Sequence, residues 1–266
     1  MSDYETIRVA RDGALTTITL NRPDRLNAMP PQMADEIGQV FYDLGYGEDR
    51  ARCVLITGEG KGFCSGADLS ARGEGSALGS KGGSHQALSQ HYNPAISQLI
   101  RAEVPVICAV NGPAAGVGCS LALAADFTIA SKSAYFLQAF VNIGLIPDGG
   151  STWLLARAVG RARATRMMML GEKIAAQQAE DWGLIYKCVE DAELMDEARA
   201  LGERLANGPT VALAAMKRNI AIALDGDLNH TFLVEAEGQR VAGASQDAME
   251  GGMAFLQKRK AEFSGR

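Results

Sequence analysis

Two glycine-rich segments carry the residue types and spacing most able to do chemistry. Phe63-Cys64-Ser65-Gly66-Ala67-Asp68-Leu69 and Asn111-Gly112-Pro113-Ala114-Ala115-Gly116-Val117-Gly118-Cys119-Ser120 each follow an apolar, strand-like run and precede a stretch able to begin a helix. Backbone N–H groups at two such strand ends can converge on one oxygen. That arrangement stabilises an enolate or a tetrahedral oxyanion without a charged side chain. Gly116 and Gly118 permit close approach of the backbone to a ligand and positive φ. A helix starting just after them turns its positive end toward developing negative charge. Taken alone, a Gly-x-Gly before a helix reads equally well as a tight turn; the pair points to chemistry at a carbonyl.

The elements around these segments alternate. Residues 6–10 and 14–20 interleave apolar and polar side chains about Asp12-Gly13, which predicts a hairpin. Met33, Ile37, Val40, Phe41 and Leu44 have helical spacing. Strands are expected at 53–57, 104–110, 127–130 and 134–136, with helices at 91–102 and about 119–125. A Gly/Ser-rich loop is expected at 70–84. From Ser151 onward the pattern is almost wholly helical, with candidates at 151–158, 161–170, 175–181, 191–206, 210–224, 227–243 and 246–261. Strand–helix alternation implies an α/β fold with a largely parallel sheet. The helical tail either packs back on this sheet or forms a subunit interface. The expected division is a core over 1–200 carrying the site and a helical region over 201–266.

Composition narrows the classes. Of 266 residues, 47% are hydrophobic and 21% charged, as in ordinary globular proteins. With 26 basic against 31 acidic residues the net charge is −5, which argues against a nucleic-acid partner. Five cysteines with no CxxC pair read as reduced thiols of a cytoplasmic protein. No basic-then-apolar leader and no apolar run of membrane-spanning length is evident, so no membrane partner is expected. His85, His91 and His230 have no metal-ligand spacing.

Four motifs in series resemble the enoyl-CoA hydratase/isomerase (crotonase) family. They are Asn21-Arg22-Pro23 with Leu26-Asn27-Ala28, Gly62 to Leu69, Pro105 to Cys119, and Gly144-Leu145-Ile146-Pro147-Asp148-Gly149-Gly150. The resemblance covers nearly the whole chain. It implies a Clp protease-like spiral of ββα units, a C-terminal helical trimerisation region, and a homotrimer or dimer of trimers. It also implies an acyl-CoA thioester substrate, with coenzyme A as part of that substrate and no other cofactor. The thioester oxygen would rest between the N–H groups of Ala67 and Val117. Ser65, Ala67, Asp68, Leu69, Ser70, Gly116 and Phe140 would line the substrate site. Arg25 and Ala28 would lie near the adenine end, and Phe255 and Lys258 would approach the CoA phosphates of a neighbouring subunit.

Departures from the hydratase pattern set the expected reaction. Family hydratases hold a water between two glutamates; the matching positions here are Ser120 and Phe140, and neither serves as a base near pH 7. Asp148 matches the catalytic aspartate of two subgroups, the ring-epoxide isomerases of phenylacetyl-CoA breakdown and the 4-chlorobenzoyl-CoA dehalogenases. The dehalogenase option also needs a tryptophan N–H where Phe140 stands. Further stretches resemble the epoxide isomerases, among them Tyr92-Asn93-Pro94, Trp153-Leu154-Leu155 and Asp181-Trp182-Gly183. An aspartate in an apolar pocket has a raised pKa and becomes a better base and conjugate acid. The expected activity is acyl-CoA isomerisation in phenylacetate or fatty-acid breakdown, with Asp148 as acid/base. The alternatives are a hydratase using other residues, a serine hydrolase built on Ser120, and an acyl-CoA-binding protein without turnover. Asp148 otherwise reads as a turn or cap before Ser151, Asp68 as a loop brace accepting backbone hydrogen bonds, and Trp153 as a packing residue close enough to Asp148 to line its pocket.

Overall fold

The computed structural model describes residues 4–44, 50–68 and 83–266. Ile7–Asp12 (β1) and Leu15–Leu20 (β2) form the expected antiparallel hairpin, turning at Gly13 with φ of +55°. Pro31–Asp43 (α1) and Cys53–Gly58 (β3) follow. Gly83–Ala87 (α2), a wide π-type turn over Leu88–Tyr92, and Asn93–Arg101 (α3) make one helical run. This run begins well before the expected His91. Gly83 to Gln90 is too polar for its helical phase to show in the sequence.

The next elements are Val106–Val110 (β4), Ala114–Ala115 (β5), Val117–Leu123 (α4), Phe127–Ser131 (β6) and Tyr135–Leu137 (β7). Then come Ser151–Leu170 (α5), Lys173–Ala175 (β8), Ala176–Asp181 (α6) and Lys187–Val189 (β9). Gly160 breaks α5 with φ 74° and ψ 168°, which accounts for the two helices expected there. Leu194–Ala206 (α7), Thr210–Ala223 (α8), Leu228–Gly243 (α9) and Gln246–Leu256 (α10) complete the chain.

Successive strand–strand–helix turns build the molecule. The large sheet has the order β1-β2-β3-β4-β6-β9 and is parallel after the hairpin; the small one has the order β5-β7-β8. Thus β4 and β6 enter the large sheet while β5 and β7, immediately after them, enter the small one. Both faces of the large sheet are buried, as a parallel sheet requires. Val54, Ile56, Val106 and Cys108 join the core with Met33 and Ile37 of α1 and Leu99 of α3. The alternate residues Cys53, Leu55, Ile107 and Ala109 pack on Leu194 and Ala198 of α7. At Gly202 of α7 a methyl would lie 3.0 Å from Leu15 Cδ1, so the helix seats close on the sheet.

The start of the tail takes the first of the two roles expected of it. Helix α7 packs back on the sheet, whereas α8 packs on α9 and α9 on α10. Helix α10 ends at Leu256, not 261, because Lys258 adopts a φ of +54° and the chain folds back. Buried Asp247 then accepts hydrogen bonds from Ser264 N (2.7 Å) and Gly265 N (2.9 Å), and Arg52 donates to Phe263 O (3.0 Å). Among the described residues no helix is long and apolar enough to cross a membrane.

Candidate active site

Two asparagines shape the first glycine segment. Asn27, fully buried, donates from Nδ2 to Glu59 O (3.0 Å) and Gly62 O (2.8 Å) and accepts Arg22 N–H at 2.8 Å. Asn111 donates to Gly58 O and Gly60 O, both at 2.9 Å. With the loop after β3 fixed, the chain runs beside Met29. Met29 N–H donates to Gly66 O (2.8 Å), Asp68 N–H donates to Met29 O (2.9 Å), and Tyr92 Oη donates to the same carbonyl (2.9 Å). These bonds flank Ala67, whose own N–H faces the other way.

The second segment lies against the first. Cys64 N–H donates to Pro113 O (3.0 Å), and Ala115 N–H donates to Cys64 O (2.9 Å). A methyl on Gly66 (φ +110°) would sit 3.2 Å from Ala115 O, and one on Gly116 (φ +52°) 3.7 Å from Gly66 Cα. A methyl on Gly118 would sit 2.4 Å from Cys64 O. Only glycine permits this approach. Gly116 N–H is taken by Leu137 O (2.9 Å), and Val117 opens α4, where helix geometry leaves the first amides without an internal acceptor. Among the described residues, neither the Ala67 nor the Val117 amide has a hydrogen-bond acceptor.

Asp148 is brought to this place by Ser120, one turn into α4. The Ser120 hydroxyl donates to Asp148 O at 2.9 Å and meets Ser151 Oγ at 2.6 Å. Ser151 N–H also donates to Asp148 O (3.1 Å), and Gly150, in a left-handed conformation, opens α5. The turn expected here is therefore made by main-chain groups of Asp148. The residue is half-buried, with Oδ1 shut off from solvent. Phe140 is buried, with its ring edge 3.7 Å from where a Gly116 methyl would be. It closes that side of the site with an apolar surface and offers no hydrogen-bond donor.

The other residues named from sequence fall into groups. Arg25 is exposed and Ala28 half-buried, and the Arg25 carbonyl accepts the Ser65 hydroxyl at 3.2 Å, which ties their loop to the first segment. Asp68 braces its loop through an ion pair. Its buried carboxylate meets part-buried Arg22 Nη2 at 2.7 Å, and Arg22 Nη1 donates to Ala28 O at 2.6 Å. Leu69, Ser70 and the Gly/Ser-rich stretch to 82 lie outside the described residues. Phe255 and Lys258 sit apart at the exposed end of α10 and share no described hydrogen bond with the groups around Asp148.

Trp153 packs, as expected of it. Its ring lies under Arg157 (4.1 Å) and lines a 410 Å³ cavity beneath α8, because helical spacing turns it away from Ser151. Burial pushes the Cys64 and Cys119 thiols up to about 12, so neither is a nucleophile at neutral pH. The hydrogen-bond partners of the Ser120 hydroxyl are Asp148 O, Ser151 Oγ and Gly116 O, and none is a histidine. His91 instead pairs with Asp35 at 2.8 Å. Sequence reasoning missed Ser151, Gln138 and Tyr92 as supports of the site, since each acts through a contact distant in sequence.

Strand–strand–helix turns with two touching glycine segments at their ends define the crotonase fold, and the chain belongs to the enoyl-CoA hydratase/isomerase family, whose model matches residues 10–266. This is a family of enzymes acting on acyl-CoA substrates. The chain is 44% identical over 255 residues to 1,2-epoxyphenylacetyl-CoA isomerase of Escherichia coli K12, covering 94% of this chain and 95% of that protein. It is 42% identical over 263 residues, 99% of each, to a Rhodobacter capsulatus protein named as a probable enoyl-CoA hydratase. An enoyl-CoA hydratase subunit of Geobacillus kaustophilus HTA426 superposes with a TM-score of 0.91 at 34% identity over the whole of both chains.

Proposed function

We propose that this chain is an acyl-CoA isomerase in which Asp148 is the acid/base and the Ala67 and Val117 amides form an oxyanion hole. The observation that supports the reading is the pairing of two acceptor-free amides on touching segments with an aspartate whose main-chain carbonyl is tied to Ser120, one helical turn from Val117. The Asp148 carboxylate removes a proton from the carbon next to, or vinylogous to, the thioester. The electron pair moves to the thioester oxygen, which accepts hydrogen bonds from both amides. The carboxylic acid formed returns the proton to another carbon, and the enolate reverts to the thioester. Ser120 and Phe140, at the two positions where hydratases carry glutamate, leave no obvious base for a water, which favours isomerisation over hydration.

The isomer-forming reaction is read with acyl-CoA panels. A 3-enoyl-CoA should gain the ultraviolet band of the conjugated thioester, and crotonyl-CoA should keep it; loss of the crotonyl band means hydration. Tight binding with no turnover on the panel, ring-epoxide acyl-CoA included, would instead favour a protein that only binds acyl-CoA. The similarity to the epoxyphenylacetyl-CoA isomerase makes a ring-bearing acyl group the first choice of substrate. Five free thiols are in keeping with a cytoplasmic enzyme.

The assembly we propose is a homotrimer or a dimer of trimers. Ile220, Leu228, Phe232, Leu233, Phe255 and Leu256 are each more than half exposed on α8–α10, more apolar surface than a lone chain usually shows. In such an assembly Phe255 and Lys258 would serve a neighbour's CoA. Sedimentation velocity should report three or six copies, and a monomer counts against this arrangement.

A further inference from the structure

Ser120, with Ser151 and Gln138 behind it, is, we propose, the positioning group that holds Asp148 for proton transfer; this rests on the reading of Asp148 as the acid/base. Four elements meet at this network. Gln138 follows β7, Ser151 opens α5, Ser120 lies on α4, and Asp148 is in the loop between Phe140 and α5. Ser120, Gln138 and Ser151 all have no solvent exposure.

The hydrogen bonds are continuous. Gln138 Nε2 donates to Ser151 Oγ at 3.0 Å, and the Ser151 and Ser120 hydroxyls share a hydrogen bond at 2.6 Å in which either can donate. A hydroxyl carries one proton. Of the two carbonyls within reach of Ser120 Oγ, Asp148 O at 2.9 Å is nearer than Gly116 O at 3.3 Å. With Ser151 donating to Ser120, the network ends on the carbonyl of the acid/base residue itself.

The loop needs such a hold. Asp148 is followed by Gly149 and Gly150, at φ of +58° and +81°, residues that adopt many other conformations when unconstrained. Gly149 also sits so near Ser120 that a methyl on it would fall 2.9 Å from Ser120 Cβ. Ser120 shares α4 with Val117, so the same short helix would carry an oxyanion donor and fix the base against it. Misplacing a reacting group by an ångström costs about 100-fold in rate.

The test compares Ser120→Ala, Ser151→Ala and Asp148→Asn, singly and combined, on the acyl-CoA substrate that the panel selects. Ser120→Ala should lower kcat roughly 30-fold, with KM and the Kd of a non-reacting acyl-CoA within about twofold, the mark of lost orientation and not lost binding. The isotope effect on kcat for substrate deuterated at the carbon that loses its proton should rise, since proton removal becomes the slower step. On the Asp148→Asn background Ser120→Ala should change nothing further, because the residue it positions is already disabled. Wild-type kcat in Ser120→Ala overturns the proposal, and so does a loss that multiplies undiminished onto that of Asp148→Asn. If Asp148→Asn itself turns over at the wild-type rate, the acid/base reading fails and this proposal falls with it. Should Ser120→Ala not fold, Ser151→Ala, one link further back, carries the same comparison with a smaller expected loss of about 3- to 10-fold.

Discussion

Asp148→Asn should lower isomerase kcat by about 10³- to 10⁴-fold, the upper part of the range for loss of a general acid/base, while the Kd for acyl-CoA stays within about twofold. The expectation is this large because the proton has to leave one carbon and arrive at another, and the proposed mechanism gives both transfers to one carboxylate. Asparagine preserves shape. The loop should keep its place, since the bonds from Ser120 and Ser151 go to the Asp148 carbonyl and not to its side chain. Rate and affinity therefore separate in this variant. Steady-state turnover together with calorimetric binding of a non-reacting acyl-CoA decides the matter, and undiminished turnover would remove Asp148 from the chemistry.

Gly118→Ala should be nearly as damaging, although it touches no side chain proposed to move a proton. The added methyl would meet Cys64 O at 2.4 Å and Cys64 Cβ at 2.6 Å, both deep in the core and neither able to yield easily. The two glycine segments must then part, and the Ala67 and Val117 amides part with them. Loss of one oxyanion donor costs about 10²- to 10³-fold in kcat, and overpacking of this kind costs about 1–3 kcal/mol of stability. Gly252→Ala in α10 is the matched control. Its methyl meets nothing within 4 Å, so turnover should persist and stability should rise slightly. Thermal unfolding and kcat measured on both variants check the pair; a Gly118→Ala enzyme that keeps both its rate and its stability would detach the amide cradle from catalysis.

Much of this architecture was legible in the residues because the signals are local. Asp12-Gly13 between two alternating runs gives the hairpin, and Gly160 gives the break in α5. The two glycine segments announce a close backbone approach before any contact is known, and Gly66 and Gly116 make it. What escaped depends on partners far apart in the chain. The wide turn at Leu88–Tyr92 extends a helix whose early residues are polar, and it carries Tyr92 to the Met29 carbonyl. The early stop of α10 follows from a tail held by Asp247. Asp68 pairs with Arg22 across the intervening α1 and β3, and Ser120 meets Asp148 at a separation of 28 residues. No periodicity reports such pairs. The resemblance marked Ser120 only as the place where a glutamate is absent, and the fold gives that serine neighbours of its own.

The acceptor-free donors of Ala67 and Val117 belong to the main chain. No codon change other than one to proline can delete an amide N–H, so mutation reaches these groups only indirectly, through the glycines that set their approach. The side chains at 120, 140 and 148 have no such protection and can each be exchanged in a single step. A lineage built on this scaffold thus inherits its means of holding an oxygen almost intact, while the groups that decide which bond is made or broken stay open to drift and selection.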